Sequence, residues 1–172
     1  MHGAPCFFTP LPCHLNTLLF SMRIWDLLYK CLNLSYPATI KVQMEIPKNA
    51  LNWFEIPVHD FDRARTFYSK IFNYEMPEEQ LGHKRKAFFQ FDRDNNGIGG
   101  AIVQGSEYFP SQRGALIYLH AGDDLTEVLE RIEAAGGKIE LDKRPVSEFQ
   151  DLGYFAIFFD PDGNRVALHS KE

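Results

Sequence analysis

From Leu51 onward, apolar and polar positions fall into a regular order. Leu51–Val58 alternates and is rich in β-formers, which predicts a strand. Trp53 and Glu55 would share one of its faces, Phe54 and Ile56 the other. Asp60 predicts the N-cap of a helix over Phe61–Phe72. Phe61, Ala64, Phe67, Tyr68, Ile71 and Phe72 recur there at three- and four-residue spacing, an apolar stripe. Asn73 suits a left-handed helix end. A short strand near Tyr74–Pro77, a strand over Lys86–Phe91, a turn at Asp92–Gly97 and a strand over Gly99–Gln104 complete the run.

The order then repeats. Ala115–His120 predicts a strand, Asp124 and Glu127 a capping box, and Leu125, Val128, Leu129, Ile132 and Ala135 a helical stripe. Gly136–Gly137 ends that helix, and strands are expected over Lys138–Arg144, Tyr154–Phe159 and Arg165–His169. The chain therefore writes βαβββ twice, with Asp60 of the first unit answered by Asp123 of the second. An α+β fold of two modules follows, one over 51–104 and one over 115–170. Asp160–Asn164 (DPDGN) reads as a hairpin turn with Gly163 at positive φ.

Residues 1–43 differ. All three cysteines lie there, with scattered prolines, one acid and three bases. The apolar run Leu15–Leu28 is broken by Arg23 and Asp26, so no signal peptide is in order. Either residues 15–32 form an amphipathic docked helix or Met44 opens the natural product, and the second is favoured because patterning begins abruptly after it. The domain over 44–172 has no cysteine, which fits the cytoplasm. The chain has 172 residues, 45% hydrophobic, with a net charge of −5, enough for one domain with a real core. No long apolar stretch or basic cluster is present, so neither a membrane nor a nucleic acid is expected as partner.

Several motifs bear on chemistry. Gly97, Gly99 and Gly100 enter a strand, not a helix N-terminus, so they read as a place of close approach by a ligand or backbone. His83–Lys86 is expected to be a solvated basic loop. The phenylalanines at 88, 89, 91, 155, 158 and 159 are too many for one face, and about half should be core. The loop Pro145–Gly153, carrying Phe149, is long enough to close over a ligand.

WFEIPVHDFDRARTFYSKIFNYE, DDLTEVLERIEAAGGKI and FFDPDGNRVALHS resemble the vicinal oxygen chelate superfamily of glyoxalases, bleomycin-resistance proteins and extradiol dioxygenases. The resemblance covers about Leu51 to Ser170 and is closest to small glyoxalase-like proteins. It implies an open curled sheet around a cavity, a small-molecule ligand and a homodimer. In metal-dependent members it implies ligands on the first and last strands of each module. Those positions fall on Trp53, on Gly99–Gln104, on Ile117 or Tyr118, and on Ala167. None carries the expected ligand, so no metal or other cofactor is expected; a substitute site of Glu55, His120 and His169 is the minor alternative.

Two functions follow from different classes. In one, a metal-free isomerase or lyase acts on a small carbonyl compound, with Glu55 or His169 as base and Tyr118 as hydrogen-bond donor. In the other, a non-catalytic protein of the bleomycin-resistance type sequesters a planar molecule among Trp53, Tyr118 and Phe158. His120, Gly99, Gly100 and Phe149 complete the candidate ligand contacts. Parity places Glu55 two residues beyond Trp53, and His169 two beyond Ala167, so each shares its neighbour's face.

Overall fold

The computed structural model describes residues 46–172, and Pro47–Glu172 forms one compact unit. The expectations for the leader, including its helix over 15–32 and a start at Met44, lie outside the described residues.

The first module runs β1 (Trp53–Pro57), α1 (Phe61–Phe72), β2 (Glu78–Leu81), β3 (Lys84–Phe88) and β4 (Gly99–Gln104). The second runs β5 (Tyr118–His120), α2 (Thr126–Ala135), β6 (Lys138–Pro145), β7 (Tyr154–Phe159) and β8 (Arg165–Ser170). Each module makes a four-stranded sheet, ordered β1-β4-β3-β2 and β5-β8-β7-β6. In each, the first strand lies parallel to the last and the other pairs are antiparallel. The α+β fold of two βαβββ modules is therefore present, as two open sheets.

Helix α1 forms as its sequence dictates. The Asp60 carboxylate accepts from the Arg63 N–H, Asn73 closes the helix at φ 54°, and the apolar stripe is buried. Helix α2 starts differently. Its N-cap is Leu125, without a side-chain cap, because Asp124 turns to the Thr126 N–H and hydroxyl and to Lys143. Glu127 pairs instead with Arg131 one turn on, so no capping box forms. Strand β2 begins only at Glu78, beyond the expected Tyr74–Pro77, because Arg65 holds the Met76 carbonyl and keeps that stretch out of the ladder.

Both helices cover the same side of their sheets. Phe61, Phe67, Tyr68 and Ile71 meet Ile56, Phe89 and Ile102 from the first sheet, and Phe158 and Leu168 from the second, in one core. The Phe67 and Phe158 rings lie 6.0 Å apart. The DPDGN turn fastens the modules together. Asp162 Oδ1 accepts from the His59 and Asp60 N–H groups at 3.0 and 3.2 Å and from the Arg63 guanidinium at 3.0 Å. Asn164 donates to the Pro57 carbonyl, and Asp160 accepts from the Tyr68 hydroxyl at 2.9 Å. Burial pushes the Asp160 carboxyl up, and the nearby Asp162 charge adds to that, against the hydrogen bonds from Asn164 and Tyr68. Among the described residues no helix covers the opposite faces of the two sheets.

Candidate functional site

Register assigns the helix-free face of the first sheet. Trp53 pairs with Gly99 and Glu55 with Ala101, while Lys86 pairs with Val103 and Phe88 with Ala101. Trp53, Glu55, Lys86 and Phe88 therefore stand on one side. Trp53 lies 6.0 Å from the Phe88 ring and 6.4 Å from the Phe91 ring, and remains 37% exposed. Gly99 is what allows this. A Cβ there would come within 2.7 Å of the Trp53 ring and would also strike Phe91. The glycine receives side chains of its own module, not the ligand or backbone expected from sequence.

Three donors converge on the Glu55 carboxylate. Trp53 Nε1 donates to Oε1 at 3.3 Å, Lys86 Nζ donates to the same oxygen, and the Tyr108 hydroxyl donates to Oε2 at 2.5 Å. Lys84 Nζ, 3.5 Å from the Tyr108 oxygen and 4.9 Å from the centre of its ring, extends the cluster. Burial alone would raise the Glu55 carboxyl, but the Lys86 and Tyr108 hydrogen bonds, the Lys86 charge and the Trp53 N–H hold it below its ordinary value. An anion so held is a poor proton acceptor.

The second sheet has its own helix-free face. Tyr118 pairs with Ala167 and His120 with His169, and Phe155 lies beside His169. Tyr118 is 51% exposed, with its ring 6.2 Å from that of Phe155. His120 Nδ1 accepts from the Gly122 N–H at 3.1 Å, and His169 Nε2 meets the Leu152 carbonyl at 2.9 Å. Glu55 and His169 thus occupy different sheets with different partners, and no hydrogen bond joins them among the described residues.

Two expected ligand contacts face the wrong way. Phe158 pairs in register with Val166, is wholly buried and packs against Phe67, so it belongs to the core. Gly100 pairs with Phe54, whose ring fills the space a Cβ would take, so it too faces the helix side. Phe149 is 93% exposed on its loop. The basic run 83–86 is not a solvated loop. From Lys84 it is strand β3, with Arg85 turned to Asp62 and Glu78 while Lys84 and Lys86 face the other way. The i, i+2 spacing of Lys84, Lys86 and Phe88 was the available signal. Tyr108 comes from the loop after β4 and had no periodic signal.

The positions at which the resemblance leads one to look for metal ligands include Trp53, Ala101 and Ala167. The Trp53 N–H is committed to Glu55, and Ala167 and Ala101 offer no donor. Among the described residues no three His, Cys, Asp or Glu side chains come together as a metal-binding group.

The family model of the Glyoxalase/Bleomycin resistance protein/Dioxygenase superfamily matches residues 50–168. The chain belongs to this superfamily. Glyoxalase I from Zea mays is similar at 21% identity and a TM-score of 0.53, over 70% of this chain and 44% of that one. This chain therefore spans less than half of the maize enzyme. A glyoxalase/bleomycin resistance protein from Albidiferax ferrireducens T118 is similar over 71% of this chain and 98% of its own, at 14% identity and a TM-score of 0.51. At these identities the likeness to the superfamily's solved structures is one of fold. No curated protein matches the chain. No helix among the described residues is long and apolar enough to cross a membrane.

Proposed function

We propose that this superfamily member binds a small planar organic molecule on the open face of its first sheet and does so without a metal and without turning the ligand over. The observation that carries the reading is the convergence of three donors, from Trp53, Lys86 and Tyr108, on the Glu55 carboxylate. A general base needs a pKa near the working pH. The Glu55 carboxyl is held below its ordinary value. It acts instead as a brace that fixes the Trp53 indole edge-on, and the exposed part of that indole is the surface a flat ligand would stack on. A homodimer suits the same reading, since the exposed Leu81 and Phe109 leave further apolar surface for a second copy.

The test uses tryptophan fluorescence of the full chain, which has two tryptophans. Quinoline and bleomycin are titrated into the wild type, Trp53→Phe and Glu55→Gln. Saturable quenching is expected in the wild type and should vanish in Trp53→Phe. Glu55→Gln should change affinity by less than about threefold, a small fraction of a typical ligand contact. A turnover of methylglyoxal-derived hemithioacetal by the wild type that Glu55→Gln abolishes would instead establish the isomerase reading.

A further inference from the structure

His120 and His169 are register partners in the parallel β5–β8 pair, so their side chains leave the same face about 4.8 Å apart, one strand spacing. Each imidazole commits one nitrogen to the backbone, and the backbone group dictates which nitrogen carries the proton. A carbonyl oxygen only accepts, so the His169 Nε2 at 2.9 Å from the Leu152 oxygen is an N–H. The neutral ring then has a bare lone pair at Nδ1. An amide N–H only donates, so the His120 Nδ1 that meets Gly122 is the bare nitrogen, and its proton sits on Nε2. The two rings share one tautomer yet offer opposite edges that no side chain among the described residues takes up, a donor from His120 and an acceptor from His169.

The loop enforces this arrangement. Gly153 sits at φ +79°, and a Cβ there would lie 2.2 Å from the Ser170 carbonyl and 3.2 Å from His169 Nε2. Only a glycine lets the loop close onto β8 and bring the Leu152 carbonyl to the imidazole. Tyr118, two residues before His120 on the same face, adds a half-exposed ring beside the pair.

We propose that the His120–His169 pair is a recognition site for a planar amide. The amide oxygen accepts from His120 Nε2–H and its N–H donates to His169 Nδ1. An amide presents acceptor and donor side by side in one plane, and two hydrogen bonds of about 2.9 Å converge on that edge from rings one strand apart. An aryl group on the amide would lie against Tyr118. A carboxylate has acceptors only, so one oxygen would face the His169 lone pair. The site shares no side chain with the Glu55 cluster and stands whether or not the first sheet binds a ligand.

The experiment is imidazole 15N NMR on the full chain in mildly alkaline buffer, with His120→Phe and His169→Phe assigning the signals. Both rings should show the Nε2–H tautomer without ligand. Benzamide should shift His120 Nε2 and His169 Nδ1 with a millimolar dissociation constant, and benzoate should bind at least tenfold more weakly, about 1.4 kcal/mol. Each histidine variant should weaken benzamide at least fivefold, with quinoline quenching of Trp53 unmoved. An Nδ1–H tautomer at either ring, benzoate binding as well as benzamide, or no shift with benzamide would overturn the proposal. The tautomer measurement needs only the wild-type protein, so a variant that fails to fold does not shelter it.

Discussion

The first and second sheets share a strand order, yet their helix-free faces treat polar side chains in opposite ways. On the first, Trp53, Lys86 and Tyr108 all turn inward to one carboxylate. On the second, His120 and His169 each turn one nitrogen to backbone, and among the described residues the other has no partner. Repetition of βαβββ fixes which positions share a face, but not whether their chemistry is used up within the module. A side chain satisfied by its neighbours holds shape, and one satisfied on a single side is left to meet a ligand. Strand parity sets Glu55 beside Trp53 and His169 beside Ala167, and the partners of each are supplied within its own module.

The largest expected effect lies where the two modules meet. Asp162→Ala removes the buried carboxylate that accepts from the His59 and Asp60 N–H groups and from the Arg63 guanidinium. It should cost about 2–4 kcal/mol, measured by urea denaturation. If the modules were held by the apolar core alone, the loss would be under about 1 kcal/mol. Next is Gly99→Ala, whose methyl group would displace the Trp53 and Phe91 rings. A loss of about 1–3 kcal/mol is expected, together with a shifted Trp53 emission.

Much of this was legible in the sequence, and the failures have a common cause. The limits of α1, β4 and β7, the αL residue Asn73 and the doubled module follow from local signals: a cap, a period, a turn. Trp53 and Glu55 on one face follow from strand parity. Phe158 was misplaced because Tyr154–Phe159 is apolar at every position, and an unbroken run does not reveal which parity faces the helices. Lys86 was read as solvent-facing because charge suggests a loop, whereas its partner lies 31 residues earlier on another strand. Tyr108 sits in irregular chain, where no period exists to read. Asp162 looked like turn chemistry, and its bonds to the first module span about a hundred residues. Local order was readable; long-range polar pairing was not.

Glu55→Gln sharpens the comparison further through pH. The Glu55 carboxyl titrates lower in the fold than in the unfolded chain. Its contribution is therefore complete above the unfolded value and is lost as pH falls through the folded one. Glutamine removes that dependence and leaves Lys86, which is 17% exposed, without its anion. Thermal melts should show a lower melting temperature at pH 7 and a shallower decline between about pH 5 and 3 than in the wild type. Parallel declines would mean that the carboxylate is not engaged as described.

The smallest effect should come from Tyr118→Ala, and its value lies in the contrast with Trp53→Ala. Both rings lie on open faces, and Tyr118 is 51% exposed against 37% for Trp53. Trp53 also donates to Glu55 and touches two phenylalanines, whereas Tyr118 meets the Phe155 ring. Removing Trp53 should therefore cost about 2–3 kcal/mol, through lost packing and a lost donor to an ionised group. Removing Tyr118 should stay within about 0.5 kcal/mol, as for an exposed residue outside any network. Equal losses would mean that the second face is as tightly built as the first, and the free edges of His120 and His169 would then be closed to a ligand. A near-neutral Tyr118→Ala that still weakens benzamide binding would place the tyrosine in recognition and not in the fold.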